Sequence, residues 1–291
     1  MLQQPSPGRG QRSRKIWSAI GLASLLFATA CSGSKHGSPA ARGHAIVVTP
    51  PTPRLADIKP AGTVAASSPE VLSHGSRLRR VVALTFDSNL TTFMQHELDT
   101  RRVLSFDDVA AINELIRLHV PATFFLSGLW MQRYSAQTRR LAAVPFFELG
   151  SHAFTHRAFA PHCFGLGTLA PEQMVNDIQQ SERLLHAFDP RAGDLFRFPG
   201  GCFGPAGLAA ARKARVRVVQ YDVASGDAFG HSVRNIVQHT LSSVRNGSIV
   251  VLHITGGNTA PLTPYALPAI VQGLRSRGFS LVTVSQLVSQ R

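Results

Sequence analysis

The sequence predicts an α/β domain whose parallel sheet curls into a distorted, seven-stranded (β/α) barrel. Three observations predict it. From Arg80 onward, seven short β-rich runs alternate with amphipathic stretches of helical length. The runs are continuously apolar, as strands are when helices cover both faces of a parallel sheet. Seven is also one short of the eight that close a regular barrel. A doubly wound open sheet is the competing arrangement.

The runs fall at residues 81–86, 122–126, 146–150, 195–198, 216–221, 249–252 and 279–282. Between them, Ser105 to Asp108 resembles a capping box and precedes Val109, Ile112 and Ile116 on one helical face. Pro171 opens a second helix carrying Met174, Ile178 and Leu185 at helical spacing. Val233, Ile236 and Val237 mark a third, and residues 266–274 a fourth. There is no internal repeat.

The first 31 residues read as an export leader. Arg9, Arg12, Arg14 and Lys15 precede a short apolar run, and Ala28, Thr29 and Ala30 precede Cys31. The run is shorter than the roughly 20 residues that a membrane span needs. Cleavage before an acylated Cys31 is expected, although Ala28 stands where such signals usually carry leucine; plain cleavage after Ala30 is the alternative. Residues 32–78, rich in Ser, Gly, Pro and Ala, read as a flexible linker. The barrel domain is then expected over 79–291, exported and tethered to the membrane by lipid, as a monomer.

The formal charge of +14 does not imply nucleic acid. Residues 1–80 carry 11 Lys and Arg against 2 Asp and Glu, whereas 81–291 carry 19 against 14. Most of the excess thus sits in the leader and linker. Cys163 and Cys202 lie in an exported chain, near one barrel mouth. A disulfide is expected, with two free thiols as the alternative.

The polar residues that stand out follow the strands. Asp87 ends the first run, and His152 and His156 follow the third. Arg197 lies in the fourth, Asp222 and Asp227 follow the fifth, and His253 the sixth. That sheet edge is where barrels and open α/β sheets build active sites. Two histidines four apart share a face on a helical turn and can reach one ion.

Five short motifs appear in order: Thr85-Phe86-Asp87, Ser151-His152-Ala153-Phe154-Thr155-His156, Arg197-Phe198-Pro199-Gly200, Tyr221 to Asp227, and Ile249 to His253. Over roughly residues 80–288 the chain resembles the polysaccharide deacetylases of carbohydrate esterase family 4. The resemblance implies that His152 and His156 hold one divalent cation, commonly zinc, with cobalt or nickel as alternatives. It implies Asp87 as general base and Arg197 as its partner. The Gly200 N–H would support the oxyanion, and His253 would be the general acid, tuned by Asp227. The implied substrate is an N-acetylated polysaccharide.

Amide hydrolysis needs those residue types independently: a polarised carbonyl, an activated water and an acid for the leaving nitrogen. The chain departs from the family pattern at Ser88, where a second aspartate usually supplies the third metal ligand. Strand alternation turns Asn89, not Ser88, to the side of Asp87, so its amide oxygen is the expected third ligand, with position 88 as the alternative where the strand end bends. Ala228 replaces a usual tryptophan, Ala224 an aspartate, and Ile254 an acidic residue. These departures keep open a metal-free carbohydrate-binding pseudoenzyme; an O-acetyl xylan esterase would use the same machinery.

Overall fold

The computed structural model describes residues 71–230, 232–257 and 259–289. The leader, its cleavage point, Cys31 and nearly all of the expected linker lie outside these residues. The strands among the described residues are β1 (Val81–Ser88), β2 (Ala122–Leu126), β3 (Phe147–Ser151), β4 (Leu195–Phe196), β5 (Arg217–Val218), β6 (Val223–Ala224), β7 (Ser248–His253) and β8 (Ser280–Leu281). Their order is β5-β4-β3-β2-β1-β7-β6, every pairing is parallel, and β8 pairs with the start of β1. Seven strands thus form a curled, unclosed barrel, as the alternation of runs and helices predicts.

The helices are α1 (Thr92–Asp99), α2 (Val109–Arg117), α3 (Gly128–Arg133), α4 (Ser135–Ala143), α5 (Pro171–Phe188), α6 (Pro205–Ala214), α7 (Val233–Ser243), α8 (Thr263–Ser276) and α9 (Val284–Ser289). The Asp108 side chain caps α2 by accepting from the Ala111 N–H at 3.0 Å, and Pro171 is the first residue of α5.

Strand β1 explains how the layers separate. Every residue in it is buried. Val82, Leu84 and Phe86 pack outward with Ile112, Leu115, Leu267 and Ile270 of α2 and α8. Val81 and Ala83 turn inward, against Phe125, Leu195 and Ile249. Thr85 and Asp87 continue that inward file and meet Arg197. Ser88 has the outward parity of Leu84 and Phe86.

Two expectations need correction. The fifth run does not remain a strand to Tyr221: its pairing with β4 ends at Val218, a single bridge joins Val219 to Leu72, and Asp222 leads into β6, a two-residue strand with no apolar run to announce it. Asp222 therefore sits at the start of β7, accepting from the Ile249 N–H at 2.8 Å, Ser248 Oγ at 2.9 Å and Arg77 at 2.8 Å. It staples the base of the barrel and takes no part in the site. The folded part also begins before residue 79, because Leu72 is buried and bonds to Val218 and Gln220.

Candidate active site

A cleft of about 340 Å³ opens at the C-terminal ends of the strands. Asp87, Asn89, His152, His156, Gly200, Asp227 and His253 all line it. Arg197 stands directly behind Asp87, wholly buried. The structure thus gathers all eight expected site residues and leaves Asp222 apart.

Arg197 donates from Nη1 to Asp87 Oδ1 at 2.7 Å and to Thr85 Oγ1 at 2.8 Å. It also donates to the carbonyls of Val219 and Gln220, each at 3.3 Å, and lies 4.1 Å from the Phe125 ring centre. A buried guanidinium with this many partners cannot turn away from the carboxylate. Burial alone would raise the Asp87 pKa, but the charge of Arg197, aided by His152 and His253, lowers it below the ordinary value.

His152 Nδ1 lies 2.8 Å from the Arg197 carbonyl oxygen. A carbonyl only accepts, so Nδ1 carries the proton and Nε2 presents its lone pair to the cleft, 3.6 Å from Asp87 Oδ2. The His156 ring centre is 5.0 Å from that of His152, and both His156 nitrogens are buried without a hydrogen-bond partner. Burial holds both imidazoles below their ordinary pKa, His156 far below, so both are neutral near pH 7.

The two histidines meet without a helix, contrary to the spacing argument. Residues 152–156 are an irregular loop with positive φ at Ala153 (62°) and His156 (53°). Asp177, buried on α5, holds it by accepting from Phe154 N at 2.7 Å, Thr155 N at 3.3 Å and Thr155 Oγ1 at 2.7 Å. Asp177 lies on the buried face of α5 with Met174, Ile178 and Leu185. A carboxylate on a helical face that is otherwise apolar but for Ser181 was the signal that could have revealed it.

Asn89 Oδ1 is also buried without a partner, while its backbone N–H donates to Thr255 Oγ1 at 3.0 Å. Ser88 is fully buried and does not line the cleft. Among the described residues no three His, Cys, Asp or Glu side chains converge as a metal site. A cation held by His152 and His156 therefore calls for a different third donor. The unpartnered Asn89 oxygen fits such a group, as do the unprotonated His152 Nε2 and the unpartnered nitrogens of His156.

On the other wall, Asp227 Oδ1 lies 2.9 Å from His253 Nδ1 and accepts from Ser225 Oγ at 2.9 Å. Its Oδ2 accepts from the His253 backbone N–H at 2.8 Å and from Thr263 Oγ1 at 2.7 Å. Thr263, at the start of α8, escaped the sequence reading because nothing marks a lone threonine. Burial would lower the His253 pKa, but the Asp227 charge and hydrogen bond raise it above the ordinary value. With Nδ1 engaged, Nε2 is the nitrogen left to give a proton.

Cys163 and Cys202 are joined in a disulfide. Gly200 adopts φ 63° against this bridge, where a Cβ would lie 2.6 Å from Cys163 Sγ, so only glycine fits the turn. Next to the bridge, Phe164 and Phe229 form the rim of the cleft, 71% and 70% exposed with ring centres 5.7 Å apart.

The family model described as Polysaccharide deacetylase matches residues 74–219. A peptidoglycan-N-acetylglucosamine deacetylase of Bacillus cereus is 27% identical over 212 residues, 72% of this chain and 88% of that one. A chitooligosaccharide deacetylase of Bradyrhizobium is 26% identical over 219 residues, 72% of this chain and 90% of that one. Among solved structures, a peptidoglycan N-acetylglucosamine deacetylase superposes with TM-score 0.63 at 24% identity, covering 75% of this chain and 92% of that one. A CE4 family pseudoenzyme from Bacillus anthracis superposes with TM-score 0.61 at 20% identity, covering 76% and 69%. The match over half the chain, joined to a curled parallel barrel with this cleft at its mouth, establishes that the chain belongs to the polysaccharide deacetylase family.

Proposed function

We propose that this protein is a metal-dependent N-deacetylase that releases acetate from N-acetylglucosamine-type polysaccharide of the cell envelope. The observation that carries the reading is a buried set of unpartnered donors, on His156 and Asn89, beside a carboxylate held ionised by Arg197. A divalent cation bound by His152, His156 and Asn89, zinc in the first instance, supplies Lewis acidity that polarises the carbonyl and acidifies water. Asp87 takes a proton from the attacking water as its oxygen adds to the acetyl carbon. The Gly200 N–H faces the oxyanion that develops. His253 then passes its Nε2 proton to the nitrogen as the C–N bond breaks, giving a free amine and acetate. Asp227 keeps that imidazole protonated until then. The relatives named as deacetylases of peptidoglycan and chitooligosaccharides support the substrate class, and the expected leader supports a location outside the cytoplasm.

A binding-only reading draws on Ser88, which puts no carboxylate where the family usually has one, and on the pseudoenzyme with the same fold. Purified protein incubated with N-acetylated and O-acetylated glycans, with and without zinc, tests both. Zinc-dependent acetate from the N-acetylated oligomers is expected. Oligosaccharide binding with no acetate from any glycan overturns the catalytic reading, and acetate from O-acetyl xylan alone overturns the amide one.

A further inference from the structure

The end of the barrel opposite the cleft carries a second, basic cavity. It has a volume of about 520 Å³ and is lined by Arg77, Arg245, Asn246 and Arg277, with Val244 and Phe279 beneath. Arg80 joins it by donating to the Arg277 carbonyl at 3.2 Å. Among the described residues one carboxylate answers this group: Asp222, paired to Arg77 at 2.8 Å. The Arg245 side chain is exposed.

Beside the cavity, the turn at Arg77 to Arg80 lifts Leu78 into solvent, 92% exposed between arginines. Complementing the C-terminal dipoles of α7 and α8 accounts for Arg245, Arg275 and Arg277 singly. It does not account for an apolar side chain raised among them. A leucine projecting from a ring of arginines matches the interface of an anionic bilayer, with phosphate for the guanidiniums and acyl carbon for the leucine.

One further fact favours a bilayer over another anion. The cleft lies at the other end of the strands, six residues along β1 from Val81 to Asp87, or about 20 Å at ~3.3 Å per residue.

We propose that the Arg77, Leu78, Arg245 and Arg277 surface docks the barrel on anionic phospholipid headgroups, so that the cleft faces away from the membrane. This docking does not depend on acylation of Cys31, and it is separate from the deacetylase reading.

Hydrogen exchange on the full-length protein, with phosphatidylglycerol vesicles and with phosphatidylcholine vesicles, localises the contact. Slower exchange is expected around residues 76–80 and 244–247 with the anionic vesicles only, and no change at the rim residues 163–166 and 225–230. Arg245→Glu and Leu78→Ser, both at exposed positions, should each weaken vesicle partitioning, the former by about tenfold. Arg234→Glu, the same charge change at the opposite end of α7, should leave it near the wild-type value. Vesicle association without protection at 76–80 and 244–247 overturns the proposal, because the preceding segment alone would then carry the binding. Protection by soluble polyphosphate but not by vesicles overturns it in favour of a phosphate-bearing polymer.

Discussion

Three consecutive residues, the last two of β1 and the one that follows it, are placed differently. Asp87 points inward to Arg197, Ser88 points outward, and the Asn89 oxygen is buried at the cleft without a partner. Asp87→Asn should keep bound zinc but lower kcat by 10²- to 10⁴-fold, the usual contribution of a positioned base. Zinc binding measured beside turnover separates this from ligand loss. Asn89→Asp should tighten zinc, since a charged oxygen replaces a neutral one, whereas Ser88→Asp should bury an unpaired carboxylate and destabilise the fold. Tighter zinc in the Ser88 variant would assign the third ligand to position 88. For His253 the sign is that of a raised pKa: the acid form is present below it and lost above it, so activity should fall on the alkaline side. Asp227→Asn should move that limb down toward the ordinary histidine value of about 6.5, as a pH profile of kcat would record. Of the residues gathered at the cleft, Asp87, His152, His156 and His253 were legible because strand ends announce themselves. Thr263 was not, because it meets Asp227 only when distant segments fold together, and Asp177 was legible only as a carboxylate on the buried face of a helix.

At the scale of elements, the loop of residues 152–156 and the turn at Gly200 are each held from outside. Asp177 supplies three hydrogen bonds to the first. Asp177→Ala should lower zinc affinity by roughly 10- to 100-fold, as loss of a group that orients metal ligands commonly does. Unchanged affinity would mean that the histidines are positioned by strand β3 alone. The disulfide joins residues separated by 39 positions, and the loop it closes contains all of α5. A Cys163→Ser, Cys202→Ser variant should lose about 2–4 kcal/mol of stability by the loop-entropy argument, measured by denaturant unfolding. Long runs such as β1 and β7 were readable because burial on both faces leaves few polar positions. Strand β6 was not, since two residues carry no period. The histidine pair was placed on a helix by spacing alone, whereas two left-handed residues bend the loop to the same end.

The whole molecule separates its chemistry along the barrel axis. One end holds the cleft and the aromatic rim of Phe164 and Phe229, and the other the arginine-lined cavity. Phe229→Ala should raise KM for N-acetylglucosamine oligomers more than it lowers kcat, because the rim lies outside the reacting groups. The fold and its functional end followed from the order of runs and helices; the basic end did not, because its arginines come from three separate segments. In the proposed reaction this site hydrolyses an amide with a metal held partly by a neutral ligand. The decisive measurement is acetate release by metal-stripped protein, titrated with zinc in the presence of N-acetylglucosamine oligomers. No release without zinc, and a rise that levels at one zinc per chain, is the predicted result. Protein that binds the zinc and the oligomers but releases no acetate would contradict it.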